Sequence, residues 1–294
     1  MIPDEFVKRL QYIEIYTRKA ARHHWVADYR SPLRGRGFDF DQHRPYQEGD
    51  DYREIDWNVT ARMPQPYLRK AFEEKEMNAV IVADLSRSMA FASVDQSKKQ
   101  LLLEVAAILA FSAVNDNMKV GLIGFTDDVE LALPAKKGLP QVWKLLEGLW
   151  EMRPVSPRTD LLRPLRRLET ELQAASLLFC ISDFIGQEAA LESDSLQQLA
   201  RNHDFIPLII DDRLEEILPR GRGYVHLRDA EGDGEMLLRI NESSRAQYQN
   251  LLRQRKIALQ RSLYRRGLDH LFLRTGEPFM DALIGFFFSR RKLR

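Results

Sequence analysis

Two hydrophobic rhythms alternate along the chain. Unbroken apolar runs, several of their residues β-branched, fall at 79–83, 120–125, 177–181 and 205–210, inside the segments 78–84 and 176–183 for the first and third. Runs of this length without polar alternation read as strands covered on both faces of a sheet. Between them, apolar residues recur at helical spacing. Segment 101–114 is nearly all apolar. Segment 141–150 puts Val142, Leu145, Leu146 and Leu149 on one side, and 161–172 does so with Leu161, Leu162, Leu165, Leu168 and Leu172. A further helix is expected at 188–201. Strands alternating with helices in this way predict an α/β fold on a doubly wound, mostly parallel sheet. Ser97 and Gln100 fit a capping box before the 101–114 helix, which Asn115-Asp116-Asn117 ends. An Asp127-Asp128 turn sends 129–133 back as an antiparallel edge. Segment 66–76 reads as an edge strand beside the 78–84 strand.

The ends of the chain carry further elements. Residues 1 to about 30 read as a helix through Phe6, Leu10, Ile13 and Tyr16/Thr17. Segments 224–228 and 235–240 flank a Gly-rich tip and predict a β-hairpin inserted at about 218–241. The helix expected at 243–266 turns Tyr248, Leu251, Leu252, Leu259 and Leu263 inward. Its basic side bears Arg245, Arg253, Arg255, Lys256, Arg261, Arg265 and Arg266. That side is either a solvated face or a dock for an acidic partner. A strand at 269–274 and a Phe-rich helix at 281–288 close the core, followed by a basic tail, 290–294.

The 294 residues are 44% hydrophobic, enough for a sizeable core. A formal net charge of +1 gives no bulk attraction to nucleic acid or to an anionic membrane. The single cysteine, Cys180, excludes a disulfide framework and reads as a small core hydrophobe. The first residues carry Asp4, Glu5, Lys8 and Arg9, unlike a signal peptide, and no apolar run reaches the ~20 residues of a membrane-spanning helix. These features predict a soluble, cytoplasmic protein without a membrane span. The expected division is 1–75, an N-terminal helix plus a polar segment, and 76–294, the α/β domain.

The 78–84 strand ends on Asp84, and Ser86 and Ser88 follow at alternate positions. This places hard oxygen donors at the carboxyl edge of the sheet, where open α/β sheets bind ligands. Such donors suit Mg²⁺, or Mn²⁺. The plainer reading is that Asp84 and Ser86 cap the next helix. Thr159, in a loop entering a helix, and Asp183, ending a second buried strand, are placed to converge on the same turn. The adjacent His23 and His24 cannot share a helix face and are not expected to bind metal.

Asp84, Ser86, Ser88, Thr159 and Asp183 together resemble the metal-ion-dependent adhesion site of von Willebrand factor A domains. In that family such residues hold a divalent cation directly or through water. A second resemblance lies upstream. Arg36-Gly37-x-Asp39-Phe40, then Arg44, Tyr46, Gly49, Asp50, Asp51, Arg53, Ile55, Asp56, Trp57, Ala61 and Arg62, looks like the signature of the domain of unknown function 58 family. There the signature directly precedes a von Willebrand A-like domain. The resemblance implies a von Willebrand A or Rossmann-like fold and a companion AAA+ ATPase of the MoxR type. Such pairs are thought to mature or activate other protein complexes. Many members begin with membrane-spanning helices, and that feature is not carried over to this chain. On chemistry alone, the signature segment reads as an ion-paired structural corner joining the two parts of the chain. A short helix anchored by Ile55 and Trp57 follows it. The spacing of an EF-hand is missing.

No catalytic residues are expected. Ser86 and Ser88 lack the flanking glycines of a nucleophile elbow, and no phosphate-binding P-loop is present. A haloacid-dehalogenase-type phosphatase would need an acid where Ser86 stands. The expected role is a non-catalytic, metal-dependent protein-binding adapter, whose cation takes an Asp or Glu of a protein partner as its last ligand. Three alternatives stand beside it: a scaffold in which the metal only staples loops, a metal-dependent hydrolase, and a nucleic-acid contact through the basic late helix. The last lacks the interleaved aromatics of a single-strand platform.

Overall fold

The computed structural model describes residues 2–20, 43–47, 50–69, 77–212, 223–228, 231–232 and 234–292. His23, His24, Gly49 and the Arg36–Phe40 part of the signature lie outside them. The elements are α1 (Asp4–Ala20), β1 (His43–Pro45), α2 (Trp57–Thr60), β2 (Tyr67–Arg69), β3 (Asn78–Asp84), α3 (Lys98–Asn115), β4 (Lys119–Phe125), β5 (Val129–Lys136), α4 (Leu139–Glu151), α5 (Leu162–Glu171), β6 (Ser176–Ser182), α6 (Glu188–Leu191), α7 (Asp194–Asn202), β7 (Asp204–Asp211), β8 (Gly223–Arg228), β9 (Glu235–Ile240), α8 (Glu242–Arg265), β10 (Leu271–Arg274) and α9 (Met280–Lys292).

The main sheet has six strands in the order β10-β7-β6-β3-β4-β5. All neighbours run parallel except β5, which returns antiparallel to β4 as the edge. The apolar runs explain the layering. In β3, Ala79, Ile81 and Ala83 enter one core with α1, α3, α4 and α9, while Val80 and Val82 enter another with α5, α6 and α7. A side-chain period of two thus turns an unbroken apolar run into two buried faces. The apolar α3 follows from the same geometry, since it is buried almost all round. Its capping box is present, with Ser97 Oγ accepting the Gln100 amide and Gln100 Oε1 accepting the Ser97 amide. On its outer side α1 brings Phe6, Leu10 and Ile13, and Phe6 lies 5.1 Å from Trp150. Phe287 of α9 meets Phe179 of β6 edge-on at 6.0 Å, so the Phe-rich helix does close the core. Gly124 lets the turn after β3 pack closely, because a methyl there would lie 2.6 Å from Leu85 Cδ1.

Several expectations are corrected. Segment 66–76 is not an edge strand of the main sheet, because both edges of β3 are already taken by β4 and β6. Its described part, β2, pairs with β1 in a separate two-stranded sheet. The helix expected at 188–201 breaks at Ser193, whose hydroxyl accepts the Leu196 amide and caps α7. In α8, Leu263 is buried, but Leu251 is 63% exposed. Its core contacts concentrate at Leu259 and Leu263 near the C-terminal end. The chain divides into two compact units, 1–30 with 77–294, and 31–76. The first helix therefore belongs with the sheet, not with the signature segment as the 1–75 and 76–294 division had it.

Within the signature segment the acidic residues act on the backbone. Asp50 Oδ2 accepts the Gln47 amide at 2.9 Å, and Asp51 Oδ1 accepts the Arg53 amide at 2.9 Å. Asp56 Oδ1 accepts the Asn58 and Val59 amides at 2.9 and 3.2 Å, capping α2. These are helix and turn caps, the habitual work of a short carboxylate. The Tyr46 amide donates to Pro66 O, and Arg62 is exposed at the end of the α2 turn. Leu68, 1% exposed, is the anchor, with Ile55 bridged to it across strands. Trp57 is 69% exposed and is not the buried anchor that its size suggested. Denaturant melts should therefore show Trp57→Ala within about 0.5 kcal/mol of wild type. Asp56→Ala should lose about 1 kcal/mol through its cap. A loss near 3 kcal/mol for Trp57→Ala would restore the buried reading.

Candidate metal centre at the carboxyl edge of the sheet

β3 ends on Asp84, where the chain turns away with the Leu85 amide still bonded to Phe125 O of β4. The Asp84 side chain is fully buried. Its Oδ1 accepts the Ser86 amide at 2.9 Å, and its Oδ2 accepts the Ser182 hydroxyl at 2.5 Å. The Ser86 and Ser88 hydroxyls lie 3.1 Å apart. Ser88 Oγ donates to Asp183 Oδ2 at 2.8 Å, and the Ile185 amide donates to Asp183 Oδ1 at 2.9 Å. Asp84, Ser86, Ser88 and Asp183 thus form one hydrogen-bonded network, 95 residues of sequence separating Ser88 from Asp183. Parallel pairing of β3 with β6 brings their ends together.

The fifth expected residue stands differently. The loop carrying Thr159 is fixed beside this network: the Arg87 amide reaches Pro157 O, the Asp160 amide reaches Thr126 O, and Gln187 Nε2 reaches Thr159 O. Glu130 holds the same loop by accepting the Val155 and Ser156 amides and the Thr126 hydroxyl. The Thr159 side chain itself donates to Glu231 Oε1 at 2.5 Å, and its amide donates to Glu231 Oε2 at 3.1 Å. The described hydrogen bonds of Thr159 lead to Glu231 and Gln187, not to the four-residue network.

Burial, and then the charge of Asp183, push the Asp84 carboxyl up from 3.8 to about 7, against hydrogen bonds from Ser182 and Ser86 that pull it down. Desolvation wins because both of its described partners are neutral. Asp183 is met by Lys98, whose Nζ lies 2.9 Å from Oδ2 with both side chains buried. Burial, with Asp84 second, also drives the Cys180 thiol well up, so it stays a protonated core residue. The donor set fits a hard cation of the Mg²⁺ kind, which takes one or two carboxylates and fills its remaining positions with water. Among the described residues no cluster of three or more His, Cys, Asp or Glu has metal-binding geometry. The candidate ligands here are two carboxylates and neutral hydroxyls.

Four residues of this region had not been singled out as site residues. Lys98 and Lys99 read alike as the polar first turn of α3; the one hint was a cation at a helix N-terminus, against the dipole. Ser182 and Gln187 carry no motif. Glu231 sits 72 residues from the Thr159 it binds, beyond any local pattern.

The model of a protein family described as "protein of unknown function DUF58" matches residues 42–258. The chain belongs to the DUF58 family. Among its relatives is the uncharacterized protein Rv1480 of Mycobacterium tuberculosis, 26% identical over 267 residues, covering 90% of this chain and 83% of that protein. A Mycobacterium bovis protein, Mb1516, matches to the same extent. Of solved structures, BatB from Bacteroides thetaiotaomicron is 17% identical with a TM-score of 0.46, covering 74% of this chain and 99% of its own. An aerotolerance-related membrane protein from Bacteroides fragilis is 15% identical with a TM-score of 0.45, covering 74% of this chain and 100% of its own. A membrane spanning protein from Vibrio fischeri is 16% identical, TM-score 0.27, covering 75% of this chain and 100% of its own. Likenesses this distant do not carry a von Willebrand A assignment to the DUF58 chain. What stands is a mixed α/β fold with a mostly parallel six-stranded sheet, compatible with a Rossmann-like architecture. The expectation of a cytoplasmic protein is corrected. Two of these neighbours are described as membrane proteins, and the lack of an apolar stretch here does not by itself assign a compartment. Among the described residues, no helix is long and apolar enough to cross a membrane.

Proposed function

We propose that this DUF58 protein is a metal-dependent protein-binding adapter of the von Willebrand A type, without catalysis of its own. The observation that carries the reading is Asp84: a fully buried carboxylate with neutral partners, joined through Ser86 and Ser88 to Asp183. Among its described hydrogen-bond partners this carboxylate has no countercharge, and a cation would supply one. Asp84, Ser86, Ser88 and Asp183 would hold Mg²⁺ or Mn²⁺, with Thr159 on the adjoining loop. The bound cation would supply Lewis acidity toward a carboxylate, so the partner is an acidic protein ligand. The resemblance adds a MoxR-type AAA+ ATPase as companion, in the maturation or activation of a protein complex.

One observation favours a scaffold instead: Lys98 already neutralises Asp183, which partly closes the network without a metal. Calorimetric titration with Mg²⁺ and Mn²⁺ tests the metal that both readings require, and partner capture under chelator separates them. Wild type should bind, and Asp84→Asn should bind at least about tenfold more weakly, a loss of roughly 1.4 kcal/mol. Asparagine is the right replacement, because its oxygen still accepts the Ser86 amide, whereas alanine at this buried position would leave both the Ser86 amide and the Ser182 hydroxyl without an acceptor. Equal binding by both proteins would overturn the metal assignment. Capture of the ATPase that resists chelator would move the reading to the scaffold.

A further inference from the structure

Glu231 lies at the tip of the β8–β9 hairpin, and both of its carboxylate oxygens are turned to one residue of the site. Oε1 accepts the Thr159 hydroxyl at 2.5 Å, and Oε2 accepts the Thr159 amide at 3.1 Å. Two donors from a single residue fix a carboxylate in orientation as well as position, and an ionised acceptor strengthens both bonds. Thr159 rides on a loop tied to the Asp84–Ser88 turn through Arg87 and Pro157, and to the start of α6 through Gln187. A carboxylate from within the chain is therefore held on the loop that is tied to the Asp84–Ser88 turn.

The hairpin that delivers it is separate from the main sheet. β8 and β9 pair only with each other among the described strands, and Tyr224, Met236 and Leu237 are all more than half exposed. A lone two-stranded ribbon is marginal without tertiary support. Of its described tip residues, Glu231 is held to Thr159, and such a contact can open without unfolding the sheet.

We infer that Glu231 is an internal acidic ligand of this site, which excludes an external carboxylate until the hairpin tip withdraws. The inference rests on the adapter reading, since it assigns the occupant of the acidic-ligand position proposed there. It gives the inserted hairpin a purpose: partner binding becomes an exchange of one carboxylate for another. If the tip is seated about nine-tenths of the time, an external ligand binds about tenfold more weakly than to an open site.

The test uses the full chain, wild type and Glu231→Gln, which keeps the size of the side chain and removes its charge. The probe is a capped hexapeptide with the sequence of residues 229–234, and the same peptide with the amide side chains asparagine, glutamine and asparagine in place of its three acids is the control. Nuclear magnetic resonance follows the Thr159 amide in saturating Mg²⁺. Glu231→Gln should bind the acidic peptide about tenfold more tightly than wild type does, with no gain for the control peptide. Exchange of the Thr159 amide with solvent should quicken in the variant, while amides of β3 and β6 keep their protection. Equal peptide affinity in two proteins that both bind Mg²⁺ would overturn the inference and leave the adapter reading standing. Unchanged Thr159 exchange would also overturn it. Failure of wild type to bind Mg²⁺ at all would overturn both.

Discussion

Lys98→Met should destabilise the protein by about 3–5 kcal/mol, the cost of leaving one charge of a buried pair without its partner. Lys98 is fully buried, and its ammonium lies 2.9 Å from Asp183 Oδ2. Methionine fills much of the same volume, so cavity formation contributes little and the loss is chiefly electrostatic. Asp183 would then face Asp84, whose carboxyl burial already holds near 7. Denaturant unfolding of three proteins gives the decisive comparison. The single variant should lose the full amount, and Lys98→Met with Asp183→Asn should recover a large part of it, because no buried charge remains there. If the adapter reading holds, saturating Mg²⁺ should also recover part of the loss in the single variant, by binding the native state alone. A single variant within 1 kcal/mol of wild type would show that the pair is hydrated in solution.

Arg290→Met should cost about 3 kcal/mol or more for a related reason. Arg290 opens the basic tail, yet it is only 5% exposed. Its Nη2 donates to Asp204 Oδ1 at 2.9 Å and its Nε to Asp269 Oδ2 at 2.8 Å. Asp204 opens β7 and Asp269 lies just before β10, so one guanidinium joins α9 to two neighbouring strands of the sheet. The Asp204 side chain is 4% exposed and would remain buried with its cation removed. Arg253→Met, at an exposed position of α8, is the control and should stay within about 0.5 kcal/mol of wild type. A melt in which both variants behave alike would return Arg290 to the surface.

The elements of the main sheet were legible because burial on two faces needs apolar side chains at every position. β3, β4, β6 and β7 therefore stand out as unbroken runs, and the caps at Ser97 and Asp116 bound the helix between the first two. The carboxyl-edge site was legible for a related reason. A polar residue directly after a buried strand must lie at the sheet edge, and parallel strands put their ends on one side. The pattern alone thus places Asp84 and Asp183 together, along with Ser86 and Ser88.

Long-range partners were not legible. Trp57 and Leu68 show why: size predicted burial for the tryptophan, but only the pairing of β1 with β2 decides which side chain is enclosed. Ion pairs follow the same rule. Lys98, Arg290 and Glu231 look like ordinary surface residues, because a charge carries no local mark of the partner it will meet. By itself, the sequence determined which segments form the sheet and which oxygen donors gather at its edge, since both follow from patterns a few residues long. Tertiary structure alone decided that Lys98 neutralises Asp183 and that Glu231 occupies Thr159. Those contacts span 72 and 85 residues and exist only once the strands are paired and the hairpin is in place.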